Sequence, residues 1–123
     1  MTDTIEKTIR IVSFSGKQKD WRMWSAQFMA RAYVKEYAGI LDGTVKPPSD
    51  DFEINIGTDI GKLQMKARKA NQNAYNELIL SMTEEISFGL VDQARTPDLP
   101  NGDAYQAWQT TSLNLRLEPR ELV

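Results

Sequence analysis

Between residues 21 and about 39 the apolar positions recur with a helical period. At roughly 100° per residue, Trp21, Trp24, Phe28 and Ala32 fall on one stripe. Met23, Ala26, Ala30, Tyr33, Val34 and Tyr37 form a broad second stripe opposite it, with Arg22, Arg31, Lys35 and Glu36 in the seams. A helix that is apolar on two sides needs cover on two sides. Either another helix of the same domain or a neighbouring subunit supplies it.

A second helix is predicted over about 60–80, with Ile60, Leu63, Ala67, Ala70, Ala74 and Leu78 on its inner face. Lys62, Lys66, Lys69, Asn73 and Glu77 make the outer one. Ser81 or Thr83 can cap a third helix, 84 to about 94, which buries Ile86, Leu90 and Val91. Asp103 with Gln106 has the form of a capping box. The fourth helix behind it carries Ala107, Trp108, Leu113, Leu115 and Leu117, and Pro119 ends it or opens another.

The segments between these helices read as turns and loops. Gly43 suits the turn after Ile40 and Leu41. Residues 44–59 hold Pro47, Pro48, Gly57 and several acids, a loop long enough to be a candidate for mobility or function, with Phe52, Ile54 and Ile56 as its tethers. Residues 96–102 form a second loop. Upstream, residues 8–14 have the β-branched, partly alternating character of a short strand or docked arm, broken by Ser15 and Gly16, with Asp20 as N-cap of the first helix. The expected fold is therefore all-α: a small bundle of four to five helices over 21–118 with an extended N-terminal arm over 1–20. The chain stops in what reads as the first turn of another helix, so it is expected to be a fragment of a longer one.

Composition removes whole classes of chemistry. The chain has no Cys and no His among its 123 residues, so disulfides, Cys/His zinc sites, Ser-His-Asp triads and Cys nucleophiles are excluded. A net charge of −2 argues against a strongly basic nucleic-acid binder, though not against a local basic face. No apolar run approaches the ~20 residues that span a bilayer, and the N-terminus lacks the features of a signal peptide. A cytoplasmic protein without membrane partner, cofactor or small-molecule substrate is the resulting expectation.

Three blocks of residues resemble a known family. Phe14, Ser15, Gly16, then Asp20, Trp21, Trp24, Phe28 and Ala30, then Gly39 to Gly43, resemble the opening of Gag polyproteins from Ty1/copia-type LTR retrotransposons. The run from Ala70 to Met82 resembles the family's second block, a helix ending in Ile-x-x-Ser-Leu/Met. Asp103, Ala104 and Trp108, followed by Leu115 to Pro119, resemble the Ala-x-x-x-Trp block and its Arg-Tyr/Phe-Glu-Pro sequel. The match spans about 9–119. Family members often carry a Trp before the second block, where this chain has Ala70 and its neighbours, and a Leu three residues after the last Trp, where it has Thr111. The resemblance implies the N-terminal part of a capsid-forming Gag, whose subunits assemble into a virus-like particle around the element's RNA. It also implies that a C-terminal capsid half and any zinc knuckle lie outside this chain.

Each candidate site competes with a plainer reading. Trp21, Trp24, Phe28, Leu78 and Trp108 are assigned to the core, since helical spacing accounts for them and each aromatic buries ~150–250 Å². Met23, Ala26, Ala30, Tyr33 and Tyr37 are the residues assigned to self-association. Tyr33 and Tyr37 lead that set, because Tyr combines apolar area with a polar tip. Lys62, Lys66, Arg68 and Lys69 are candidate RNA contacts, set against an ordinary solvated helix face without interleaved aromatics. Asp42, Asp50, Asp51, Glu53 and Asp59 lack EF-hand order. Residues 57–62 lack the spacing of a phosphate-binding loop, and no set of residues has catalytic form. The expected function is non-enzymatic: a Gag-type structural domain that forms homo-oligomers. An RNA-binding module and a domesticated Gag-derived adaptor are the alternatives.

Overall fold

The computed structural model describes residues 11–116. Five α-helices account for 62% of them: α1 (Gln18–Val34), α2 (Ala38–Asp42), α3 (Asp59–Ser81), α4 (Glu85–Asp92) and α5 (Ala104–Arg116). No strand occurs among the described residues. The expected strand reduces to a single parallel bridge between Phe14 and Met82, and residues 8–10 of it lie outside the described residues, as do Leu117 and Pro119. The Phe14 amide donates to the Ser81 carbonyl (2.8 Å), and the Thr83 hydroxyl donates to the Phe14 carbonyl (2.8 Å). One residue of the arm is thus locked at the α3–α4 corner. Thr83 is used there and does not cap a helix; the N-cap of α4 is Glu84, whose carboxylate accepts from the Ile86 and Ser87 amides.

The first helix begins earlier and ends earlier than its pattern suggests. Lys17 stands at the N-cap position, and Asp20 lies inside the first turn, where it favours the positive end of the helix dipole and accepts from the Ser15 hydroxyl (2.7 Å). At the other end, Glu36 adopts a left-handed φ of 65°. The Glu36 amide bonds back to the Tyr33 carbonyl and the Tyr37 amide to the Ala32 carbonyl, the paired bonds of a Schellman motif. That motif usually has glycine at the left-handed position, so the sequence carried no stop signal there. The chain then turns into α2, which closes on Gly43 with φ 84° as the cap.

Helix α5 touches each of the other four helices, while α1 packs on α5 and α2. The buried centre is an aromatic cluster in which Trp108 of α5 lies 5.6 Å from Trp21, 6.1 Å from Trp24 and 5.6 Å from Phe28 by ring centroid. Phe14 closes the cluster from the arm side at 5.0 Å from Trp24, whose indole N–H donates to the Val12 carbonyl (2.6 Å). Leu78 joins the same core, so Trp21, Trp24, Phe28, Leu78 and Trp108, the five residues assigned to the core, are buried.

Several inner-face expectations fail. On α3 the buried side chains run from Ala67 to Ser81, and Ile60 and Leu63 stay exposed on the first turns. On α4 the inward residues are Ser87 and Val91; Ile86 is exposed and Leu90 half-buried. On α5 Leu113 faces solvent, whereas Leu115 packs at the core edge. Asp103 does cap α5 by accepting from the Gln106 amide (3.0 Å), but the Gln106 side chain goes to Thr110 instead of completing the box. Asn71, buried on α3, donates to the Gly102 carbonyl (3.0 Å) and accepts from the Ala104 amide (3.0 Å), which fixes where α5 starts. Gly102 itself has φ 132° and lies against the Tyr75 ring, leaving no room for a Cβ.

Thr111 is fully buried in α5 and its hydroxyl has no hydrogen-bond partner. An unpartnered buried hydroxyl costs on the order of 1–3 kcal/mol. Thr111→Val should therefore raise stability by about 1 kcal/mol, while Trp108→Ala should lower it by about 3–5 kcal/mol. Urea midpoints at unchanged slope are the measurement for both.

Candidate functional site

The second stripe of α1 is largely uncovered. Met23 and Tyr33 are each 69% exposed, and Ala26 and Ala30 between them face solvent. These residues recur at three- and four-residue steps, so they form one line along the helix. Tyr37 does not belong to it. It lies past the end of α1, is 1% exposed and packs beside Phe28, so its assignment to a self-association surface is corrected to the core. The helix ends before its period reaches Tyr37, and the turn at Glu36 carries that ring inward.

At its C-terminal end the stripe opens into a groove of about 610 Å³ between α1, α2 and α3. Tyr33 stands at one wall, Val45 and Gly39 at another, and Leu63, Ala67 and Ala70 line the α3 side. Leu63 is 69% exposed. Lys66 on the rim reaches Glu36 at 3.7 Å, an exposed pair of small energetic weight. The inner-face pattern of α3 named Leu63 as a core residue, so the sequence held the apolar signal here but not its exposure.

The basic residues divide. Lys62, Lys66 and Lys69 are exposed and gather with Lys35 around one shallow depression beside the groove. Arg68 is not among them and is corrected to a structural role. Its guanidinium donates to the carbonyls of Ser49 and Phe52 (both 2.8 Å), pinning the 44–59 loop to the other side of α3. The loop is held by its backbone, since Asp50 also donates its amide to the Asp98 carbonyl (2.8 Å). Phe52 and Ile56 are consequently free to point outward and do not act as tethers. Of the acids, Asp42 accepts from the Thr44 amide and hydroxyl, and Asp51 accepts from the Ser49 hydroxyl. Among the described residues no three acids converge in a metal-sized cluster. No helix among them is long and apolar enough to cross a membrane.

The outer stripe is held in position from behind by a polar clamp that periodicity did not reveal. Arg31 grips Glu77 of α3 in a bidentate pair, Nε at 3.0 Å and Nη2 at 2.7 Å, and the Tyr37 hydroxyl donates to the same carboxylate. Glu77 therefore leaves the solvated α3 face to which the pattern assigned it. Burial pushes the Glu77 carboxyl up, but the bonds from Arg31 and Tyr37 outweigh it and hold the pKa below its ordinary value. Burial first, and then the neighbouring carboxylate, push the Tyr37 hydroxyl well above its usual range, so it remains a neutral donor. An Arg and a Glu 46 positions apart carry no joint signal in a single sequence.

Compared with protein-family models, curated proteins and solved structures, the chain matches none.

Because the folded-state pKa of Glu77 lies below its ordinary 4.5, its contribution is complete above that value and is lost as pH falls through the folded-state value. Wild type should thus lose stability steeply in urea melts taken below about pH 4.5, and Glu77→Gln should flatten that limb. At pH 7 the same substitution should cost about 3 kcal/mol, since it replaces a charged bidentate partner of Arg31 with a neutral one in a mostly buried site.

Proposed function

We propose that this chain is a Gag-type capsid domain, a structural module that self-associates into an oligomeric shell and performs no catalytic step. The observation that carries the reading is the uncovered apolar line Met23, Ala26, Ala30 and Tyr33 on α1. Small residues between two large ones let a second helix approach closely, and a tyrosine at the end offers area with a polar tip. The three sequence blocks that resemble Gag add support, because Phe14, Trp21, Trp24, Phe28 and Trp108 from two of them meet in one aromatic core. The all-helical bundle agrees with the same proposal. Assembly in the cytoplasm around the element's RNA belongs to it as well, with most RNA contacts made by regions outside this chain.

A second reading has its own observation. Lys35, Lys62, Lys66 and Lys69 surround one depression, a patch suited to phosphate backbone. Neutralising about four phosphates gives single-stranded RNA binding a log-log salt slope near −3. Binding with that slope by the isolated chain would favour this reading, whereas association through an apolar helix face has no such steep dependence.

For the leading reading, the wild-type chain should sediment as oligomers that grow with concentration. Tyr33→Glu should abolish them while leaving the helical spectrum and melting temperature nearly unchanged, because the side chain is exposed and only a weak repulsion with Glu36 is added. Persistence of the oligomers in Tyr33→Glu would show that this stripe is not the contact.

A further inference from the structure

Two surfaces of this chain are complementary in shape of chemistry and lie on different sides of α3. One is the groove walled by Tyr33, Val45 and Leu63, edged by the Lys66–Glu36 pair and adjoining the depression that Lys35, Lys62 and Lys69 surround. The other is the loop segment 50–56, in which Phe52 and Ile56 are exposed and Asp51 and Glu53 are exposed beside them. An apolar groove beside a lysine cluster faces outward on one side, and an apolar ridge flanked by acids faces outward on another.

We infer that the ridge at residues 50–56 of one copy docks in the α1–α2–α3 groove of a second copy, making a head-to-tail contact. This rests on the self-association proposed above. The chain does not fill its own groove with its own ridge: Arg68 holds the Ser49 and Phe52 carbonyls, and none of residues 50–56 lines the groove. On a helix Arg68 projects well over 90° away from Leu63, Lys66 and Ala70, which face the groove. The bonds to Arg68 and the Asp50–Asp98 bond fix the base of the ridge, so little order remains to be gained on docking.

Charge decides the occupant. The four lysines at and beside the groove outnumber Glu36 there and attract an acidic partner, and Asp51 and Glu53 flank the exposed Phe52. Two grooves facing each other would instead bring the adjoining lysine clusters together. A contact between different patches is heterologous, so it propagates into a closed ring or an open chain. The buried area is modest: a segment of this length removes several hundred Å² in total, below the ~1,000 Å² of a stable isolated pair. Each contact is therefore weak alone and gains strength through ring closure and the neighbouring α1 stripe.

The chain contains no cysteine, which makes the test direct. Phe52→Cys and Leu63→Cys, both at exposed positions, are prepared separately and mixed under mild oxidation. The mixture should yield a disulfide-linked dimer containing one copy of each, and the double variant should yield a ladder of higher species. Neither single variant should cross-link to itself above a tenth of that yield. A companion pair, Glu53→Lys and Lys66→Glu, should each weaken oligomers alone and recover them when mixed. Leu63→Cys linking mainly to itself would overturn the head-to-tail contact, as would absence of the mixed dimer in a chain that still sediments as oligomers. A monomer at every concentration would overturn both this contact and the self-association reading.

Discussion

Trp108 projects from α5 into three rings of α1, and the arrangement of the rest of the chain follows from that contact. The 93–103 connection leads into α5, which lies against every other helix, and the buried Asn71 fixes its first turn through two backbone hydrogen bonds. With Trp108 so placed, Trp21, Trp24 and Phe28 have a single apolar surface on which to close, and Phe14 seals the far side because its backbone is bonded at the α3–α4 corner. Aromatic pairs at these separations add about 0.5–1.5 kcal/mol each beyond area burial, so a chain of them ties α1 down along one line. Among the described residues no helix covers the side of α1 away from that line.

The clamp behind α1 solves a different problem. Without it, a helix anchored by one stripe could roll about that stripe, since rings packed at tilted angles offer little directional restraint. The bidentate Arg31–Glu77 pair is directional, and the Tyr37 hydroxyl bond to the same carboxylate couples the turn after α1 to α3. Its net contribution to stability is limited by the cost of removing both charges from water. Its greater effect is geometric, because it sets which residues of α1 face outward.

The aromatic core and four of the five helices were legible in the sequence, while α2 read as the turn that closes the first, and the reason is physical. Trp21, Trp24 and Phe28 repeat at helical spacing, and a ring that large has few places to go except inside. The thin points were ends and partners. Glu36 takes a left-handed conformation at a position where glycine would have announced the turn, so the first helix read as longer than it is and Tyr37 was assigned to its surface. Ile60 and Leu63 share the period of the buried α3 residues yet stay exposed on its first turns, while Ile86 and Leu113 lie out of phase with the buried Ser87, Val91 and Thr111. Arg68 stands in a run of lysines, and only the folded loop separates its role from theirs. Of the proposed association surface, Met23, Ala26, Ala30 and Tyr33 were readable because their period outlasted what a small bundle covers. The groove beside them was not, since Val45 and Leu63 come from elements far apart in the chain.

The outer line of α1 and the groove are different kinds of surface, and they meet at Tyr33. A straight line of apolar side chains on one helix is self-complementary: a two-fold axis can lay it against its own copy, and the contact then closes after two subunits. A groove matched by a distant ridge cannot close that way, because each copy offers one of each and leaves the other free. A shell needs both behaviours, one contact that pairs subunits and one that propagates. Met23 belongs only to the line, Leu63 only to the groove, and Tyr33 borders both. In the proposed assembly Tyr33 would couple pairing to propagation, since a shift of its ring to suit a partner helix would change the wall that the ridge of another copy meets.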